Sequence, residues 1–559
     1  LPFFVSLHKN KNMSNIQLPY TIPARLNNSF SLFSNNDFLG FVDEKQMNYA
    51  EVQSQVENIR RLLQKAGIAK GDKVALLSGN MPNWGIVYFA VASSGAVIVP
   101  ILPDFSSDET ANIIEHSEST ALFVSDLQMP KIENRTFENL KFIVKINDFE
   151  VIHSKVDISE YSQIQLDDAQ VTEEDLAAII YTSGTTGNSK GVMLTHKNLM
   201  SNVESAGILQ PIFPNDRFLS ILPMSHTYEN TLGFLLPMMH GASVFYLKKP
   251  PTPNILMAAM ASVKPTLMLS VPLIIEKIYR NRVLSTIKAK AITRTLYNVS
   301  FFRKLINKAA GKKLMKTFGG ELRFFGIGGA KLDAVVEQFL LEAKFPYAIG
   351  YGLTETSPIL AGVNPQMVRL QTTGPAVRGV ELKLHNVNSE TGEGEIWAKG
   401  PNVMKGYYKN PEATAEVLTE DGWFKTGDLA TFDKDGFVYI RGRSKNVIIG
   451  ANGKNIYPEE IESLINNYDY VVESLVVEQK GRLVAYVHYN MEELTKNFNS
   501  MKTEVNNFLD EKVTELSKEI MEYVNSKVGS FATIKMVISH AEPFEKTPTQ
   551  KIKRYKYIS

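Results

Sequence analysis

Leu176-Ala-Ala-Ile-Ile-Tyr-Thr-Ser-Gly-Thr-Thr-Gly-Asn-Ser-Lys190-Gly-Val-Met-Leu-Thr-His196 begins as an apolar run and passes straight into a loop of hydroxyls and glycines that ends in a lysine. The run Leu176 to Ile180 reads as a strand. The loop behind it offers a polyphosphate closely spaced backbone N–H groups, several hydroxyls and a cation, and its glycines let the backbone approach closely. It is not a Walker A loop, which requires Gly directly before the Lys; Ser189 stands there instead. Outward from this joint, Val74 to Leu77, Val97 to Ile101, Ala121 to Val124 and Phe142 to Ile146 are further short apolar runs, and Tyr49 to Ala66 carries a helical period. That alternation predicts an α/β fold of parallel, doubly wound sheets with helices on both faces.

Further along, the pattern changes. Between Val380 and Arg441 the strands are short and punctuated by Gly and charge, as in Gly394-Glu-Ile-Trp-Ala-Lys-Gly400 and Gly436-Phe-Val-Tyr-Ile440, which predicts a small antiparallel barrel. A shorter α+β segment follows Lys445. Its first helix starts at Pro458-Glu-Glu-Ile-Glu462, strands are expected at Glu473 to Glu478 and Leu483 to His488, and a long helix around Met501 to Val528. The expected division is a large domain over 1–442, with the barrel near 380–441, and a smaller mobile domain over 443–559. At 559 residues, two or more domains are the expectation on length alone.

Bulk properties exclude more than they identify. A net charge of +1 gives no global pull toward nucleic acid or membrane, and nucleic acid is not an expected partner. With zero cysteines there is no disulfide, thiolate metal site or cysteine nucleophile. Mean hydropathy of −0.12 is ordinary for a globular protein. Leu1 to Asn12 places an apolar run before basic residues, the reverse of a secretory signal, so Met13 reads as the natural start after an unstructured extension. No charged residue lies between Lys73 and Asp104, yet Asn80, Pro82, Asn83, Ser93, Ser94, Gly95 and Pro100 interrupt the stretch. A buried helix (Asn83 to Ser93) followed by a buried strand (Ala96 to Ile101) fits better than a membrane span.

One segment stands apart: Lys277 to Gly320 holds twelve Lys or Arg and no Asp or Glu. Leu284, Ile287, Ala291, Val299, Phe302, Ile306 and Ala309 fall roughly on one helical face. Two readings remain open, a solvated pair of helices packed on the large domain or a basic amphipathic surface that meets anionic lipid headgroups.

Five more segments share the order and spread of a known family: Gly326-Ile-Gly-Gly-Ala330, Tyr351-Gly-Leu-Thr-Glu-Thr356, Gly422-Trp-Phe-Lys-Thr-Gly-Asp428, Arg441-Gly-Arg-Ser-Lys445 and Lys546-Thr-Pro-Thr-Gln-Lys551. With the phosphate loop they resemble the acyl-adenylate-forming (AMP-binding) superfamily, from about Tyr49 to the end of the chain. Within it, Leu322 to Ala330, Tyr351 to Pro358, the basic insertion and Asn452-Gly-Lys-Asn-Ile-Tyr-Pro-Glu-Glu-Ile-Glu462 look like the long-chain fatty acyl-CoA synthetases. The resemblance implies an enzyme that activates a fatty acid with ATP and Mg²⁺, releases pyrophosphate and passes the acyl group to the CoA thiol. One alternative is a ligase that loads a carrier-protein thiol. The other is a catalytically silent lipid- or nucleotide-binding protein.

The roles implied are specific. Thr182, Ser183, Gly184, Thr185, Thr186, Gly187 and Lys190 cradle the β- and γ-phosphates, with Thr186 also counted as catalytic. Gly328, Gly329 and Ala330 line the adenine and acyl pocket, Tyr351 stacks on the base beside Gly352, and Thr354 contacts the α-phosphate. Glu355, with Thr182, holds Mg²⁺, a hard cation that prefers oxygen ligands. Asp428, an acceptor-only carboxylate, takes the ribose hydroxyls with Arg443 beside it. Lys551 bridges the substrate carboxylate and the α-phosphate; here Gln550 stands where many relatives have Gly. Lys445 matches the hinge about which the C-terminal domain turns, and Gly453 and Lys454 lie in the pantetheine segment. His226, in Pro223-Met-Ser-His226, stands beside the acyl site. The expected location is cytoplasmic, with contact at the inner face of the membrane as the form any association would take. Chain length, acceptor and oligomeric state are not readable.

Overall fold

The structure, a computed structural model, describes residues 18–182, 189–289, 291–450, 455–496, 505–547 and 551–558. The expected leader, Leu1 to Asn12, lies outside them. Two eight-stranded sheets form the large part of the molecule. In one, the strands run in the order Gly406–Tyr407, Lys190–Thr195, Leu176–Thr182, Val97–Ile101, Lys73–Leu77, Ser119–Val124, Phe142–Lys145 and Glu150–Ser154. Its centre is parallel and its edges antiparallel, so the phosphate-loop hairpin lies toward one side. The other runs Ile359–Gly362, Tyr347–Gly352, Phe324–Ile327, Leu267–Ser270, Arg217–Ser220, Ser243–Tyr246, Asp37–Phe41 and Met47–Asn48. It too is parallel except at its edges.

The uncharged stretch after Lys73 is core. Helix Pro82–Ser93 has Pro at its first turn, and every residue except Asn83 is buried. It touches strands of both sheets, so it is wrapped on all sides by protein and needs no polar face. Trp84 stacks on Tyr88 with ring centroids 5.3 Å apart, and Phe89 stacks on Phe234 at 4.5 Å. A Cβ on Gly85 would stand 2.8 Å from the Phe234 ring, which is why the helix can approach this closely only with Gly there. Each fully buried apolar side chain of this size contributes about 1.5–3 kcal/mol. Among the described residues no helix is long and apolar enough to cross a membrane. Helix Tyr49–Lys65 starts at an N-terminal capping box, in which Asn48 accepts from the Glu51 N–H at 2.7 Å and Glu51 accepts from the Asn48 N–H at 2.8 Å.

The short-strand region is antiparallel, with strands Glu381–His385, Gly394–Lys399, Phe424–Phe432 and Val438–Arg443 paired in that order. Beyond the turn Ser444–Asn446 lies an α+β unit. Strands Val471–Gln479, Arg482–Tyr489 and Ile534–Ser539 form its sheet, covered by helices Pro458–Asn466 and Val505–Asn525. Its apolar cluster, including Ile461, Ile465, Val476, Ala485, Ile520 and Ile534, is separate from the cores of the two large sheets. Polar contacts join it to the rest. Arg280 donates to the Asn466 carbonyl and to Asn467 Oδ1 (3.0 Å), Asn467 donates to Asp333, and the Tyr457 hydroxyl donates to Glu393 at 2.7 Å.

The basic segment is the crossover from strand Leu267–Ser270 to strand Phe324–Ile327, built of helical pieces that end in Ala291–Tyr297 and Ser300–Thr317. The expected single apolar face does not form. Ile287 is buried and Leu284 and Ile306 are half-buried, but Ala291, Val299, Phe302 and Ala309 are exposed. A π-helical turn at Tyr279–Leu284 and the turn at Asn298–Val299 each reset the helical phase.

Candidate active site

The phosphate-loop joint is a hairpin. Strands Leu176–Thr182 and Lys190–Thr195 pair with Thr182 opposite Lys190, so both ends of the loop are held at one point. Ser183, Gly184, Thr185, Thr186 and Gly187 lie outside the described residues. Gly191 sits against the neighbouring strand, and a Cβ there would come 2.8 Å from Ile179. The Lys190 ammonium stands over the Tyr407 ring, 4.9 Å from its centroid. Tyr407 is brought there because Gly406–Tyr407 adds to the sheet beside Lys190–Thr195. Its hydroxyl donates to Glu355 Oε1 at 2.8 Å, and the Glu355 carbonyl accepts from the Met404 N–H at 2.8 Å. Cation, phenol and carboxylate thus form one chain of contacts beside the loop. Nothing in the sequence pattern singled out Tyr407; only the edge-strand pairing does.

On the opposite side, strand Tyr347–Gly352 presents Tyr351, whose hydroxyl donates to Asp428 Oδ2 at 2.6 Å. Asp428 and Arg443 are register partners on adjacent strands, and Arg443 Nε lies 2.8 Å from Asp428 Oδ1. The Asp428 side chain is only 8% exposed, and burial lifts its carboxyl above the usual range despite the guanidinium and the phenol beside it. Burial likewise drives the Tyr351 phenol well up, with the Asp428 charge adding to it. Arg443 is 42% exposed: burial pulls it down, but Asp428, Tyr351, Glu355 and Tyr407 together hold it above its ordinary value. Gly352 admits no side chain, since a Cβ would fall 1.8 Å from the Pro358 carbonyl. Thr354 and Glu355 follow in the single turn Thr354–Thr356.

Gly328, Gly329 and Ala330 continue from strand Phe324–Ile327, with Gly329 in the left-handed region at φ +86°. A Cβ on Gly328 would meet the Tyr228 ring at 3.2 Å. Tyr228 therefore caps this loop, a neighbour the sequence did not mark. Two residues before it, His226 Nδ1 accepts from the Tyr228 N–H at 3.3 Å. Burial lowers the imidazole to about 4, and the Lys551 charge pushes the same way. His226 is therefore neutral at neutral pH.

Lys551 arrives from the far end of the chain. The Thr547 N–H donates to its carbonyl at 2.7 Å, and Lys546 is tied to Glu473, 2.5 Å away. The charges of Arg443, Asp428 and Glu355 act on its ammonium, and its own charge acts on His226, so these groups lie near one another. Burial, then Arg443, lower its pKa, while Asp428 and Glu355 oppose. The side chain keeps solvent-accessible surface although protein surrounds it. Lys445 lies apart, exposed on the turn Ser444–Asn446, and Gly453 and Lys454 fall outside the described residues. Among the described residues no three His, Asp or Glu gather into a metal cage. Glu355 and Thr182 offer hard oxygens near the loop, the donor chemistry Mg²⁺ takes when phosphate and water complete its shell.

An alternating sheet that ends in the Thr182–Lys190 hairpin, with a buried Asp428 paired to Arg443 and a lysine from a second unit, is the arrangement of a nucleotide-handling enzyme. The profile of the AMP-binding enzyme family matches residues 32–408, and the chain belongs to that family. It is an adenylate-forming ligase. Long chain acyl-CoA synthetase 1 of Arabidopsis thaliana is 30% identical over 92% of this chain and 87% of its own. A long-chain-fatty-acid–[acyl-carrier-protein] ligase of the same plant, AEE15, is 28% identical over 80% of this chain and 73% of its own. Among solved structures, the anthranilate CoA ligase AuaEII in complex with anthranoyl-AMP superposes with a TM-score of 0.76 over 97% of both chains at 21% identity.

Proposed function

We propose that the protein is a long-chain fatty acid–CoA ligase that works through an acyl-adenylate. What supports the reading most is the nearness of Lys551 to Asp428, Arg443 and Glu355, whose charges act on its ammonium. In the first step a carboxylate oxygen attacks the α-phosphorus of ATP, the bond to the bridging oxygen breaks, and pyrophosphate leaves with that electron pair. Lys551 lies between the two anions as they meet and reduces their repulsion. Thr182, Lys190 and the loop between them hold the β- and γ-phosphates; Asp428 and Arg443 hold the ribose. Tyr351, now bonded to Asp428, exchanges that contact for the base. Mg²⁺, with Glu355 and Thr182 as its protein oxygens, would neutralise phosphate charge.

In the second step the CoA sulfur attacks the acyl carbonyl, AMP leaves and the thiol proton passes to solvent. His226, neutral, orients rather than titrates. For this step the unit 443–559 turns about Lys445, which brings Gly453 and Lys454 to the pantetheine. Similarity to long-chain acyl-CoA synthetases supports the substrate class. An acyl tunnel rewards length, since each buried CH₂ contributes about 0.8 kcal/mol.

The carrier-protein relative supports a second reading with the same first step. The test is pyrophosphate release from Mg-ATP with acids from short to long, with CoA and then with an acyl carrier protein. Turnover that peaks on long acids and requires CoA is expected. Turnover only with the carrier protein would replace CoA as the acceptor, and no release with any acid would leave the silent binding protein.

A further inference from the structure

The two basic helices Ala291–Tyr297 and Ser300–Thr317 pack on the large part of the molecule through a mixed face. Leu314 enters the apolar core with Ile306, Ala310 and Met315 against it, and a polar cluster lies beside them: the Tyr297 hydroxyl donates to Asn307 Oδ1 at 2.9 Å, and Asn307 Nδ2 donates to Glu342 at 2.8 Å. Arg303 adds a forked contact to the same carboxylate, which is 4% exposed. Gly311 lets the longer helix press against the next one, since a Cβ there would lie 2.5 Å from the Ala343 carbonyl. These bonds fix which side faces out. The outer side carries Ile292 (77% exposed), Val299 (50%), Phe301 (67%), Phe302 (40%) and Leu305 (52%). Phe301 and Phe302 form an edge-to-face pair, centroids 5.5 Å apart, at the start of the second helix. Lys304, Lys308, Lys312 and Lys316 are exposed on that same helix, in a segment with twelve basic and no acidic residues.

Contiguous exposed apolar side chains mark an interaction surface, and a purely cationic surround selects an anionic partner. A lipid leaflet supplies both chemistries at once: acyl chains for the aromatic and aliphatic tips, and anionic headgroups for the lysines. We propose that this crossover is a docking face for the surface of an anionic bilayer. It lies outside the cleft and does not depend on the ligase reading. If that reading holds, the face keeps the enzyme where an amphiphilic acid partitions.

The experiment is co-sedimentation of the full chain with vesicles of phosphatidylcholine alone or enriched in phosphatidylglycerol, in low and high salt. Binding to the anionic vesicles, weakened by salt, is expected. Ile292→Ser/Phe301→Ser/Phe302→Ser and, separately, Lys304→Glu/Lys308→Glu/Lys312→Glu should each weaken it by at least about tenfold. Unchanged melting temperature and unchanged pyrophosphate release with a short, water-soluble acid show that a variant is folded. The single change Phe301→Ser, at a side chain 67% exposed, should weaken binding measurably if a triple variant fails to fold. The proposal is overturned if the parent protein ignores anionic vesicles or if these variants bind as it does. It is also overturned if, without lipid, the protein is a dimer that Phe301→Ser dissociates, for then a second copy covers the face.

Discussion

The two sides of the cleft are built differently. The Lys190–Tyr407–Glu355 side is stitched by backbone pairing within one sheet, so its groups are in place whenever the large part of the molecule is folded. The Lys551 side depends on a second unit with its own apolar cluster, held by a handful of polar contacts around Arg280, Asn467 and Tyr457. On the proposed reaction, such a division would suit two steps that need different surroundings for the same acyl carbon. If that proposal holds, Lys551 should matter to one step alone, whereas Glu355 and Lys190 should act wherever nucleotide is bound.

The strongest way to break that contrast is Lys551→Ala. Pyrophosphate release should fall about 10²–10³-fold, while thioester formation from supplied acyl-adenylate stays within about twofold of the parent in single-turnover assays. An equal loss in both steps would mean that Lys551 is not removable. On the permanent side, Tyr407→Phe deletes one hydrogen bond to a carboxylate. We expect the first step to slow by about tenfold, since a bond to a charged group contributes roughly 1.5–3 kcal/mol at most. Arg280→Ala with Asn467→Ala should lower the first step by a few-fold and leave the second unchanged, because only the docked population shifts. A matching loss in the second step would show that these contacts serve stability rather than docking.

Acidity sharpens the same contrast. The Lys551 ammonium is held below its ordinary range, so it loses its proton at lower pH than a free lysine. The first step should therefore decline as pH rises, earlier than an ordinary lysine near 10.4 would dictate. Lys551→Arg should move that decline upward in a stopped-flow pH series while slowing the step. The smallest effect belongs to His226. With its proton lost by about 4, His226→Gln should leave the profile between about pH 6 and 8 unaltered. A lost acid limb near 6.5 would show that the imidazole titrates during turnover.

The strands and the residues assigned to the proposed chemistry are legible in residue order because they lie in short, local patterns. Tyr181 to Lys190, Tyr351 to Glu355 and Thr426 to Asp428 are each a few residues long, and their strands follow from apolar runs. Helix Pro82–Ser93 was placed within one residue of its observed start because its interruptions are local too. Tyr407 escaped notice because its role comes from pairing with a strand more than two hundred residues earlier. The apolar face expected in the basic segment failed because the helix breaks at the turn Asn298–Val299, between Ala291 and Phe302, a change of register that a fixed helical period cannot carry.

Sequence alone determined the sheet alternation, the joint of strand and loop at Leu176 to Lys190, the lack of cysteine and the residues suited to each charge, since these depend on side-chain type and near neighbours. Tertiary structure decided which of those residues share a cleft. It set Asp428 opposite Arg443 by strand register and carried Lys551 to them across the boundary between two units. It also left Ile292, Val299, Phe301, Phe302 and Leu305 outside, while Glu342 takes Asn307 and Arg303 on the inner side. Local pattern fixes what a residue can do, while burial and contacts distant in sequence fix the partner with which it does it.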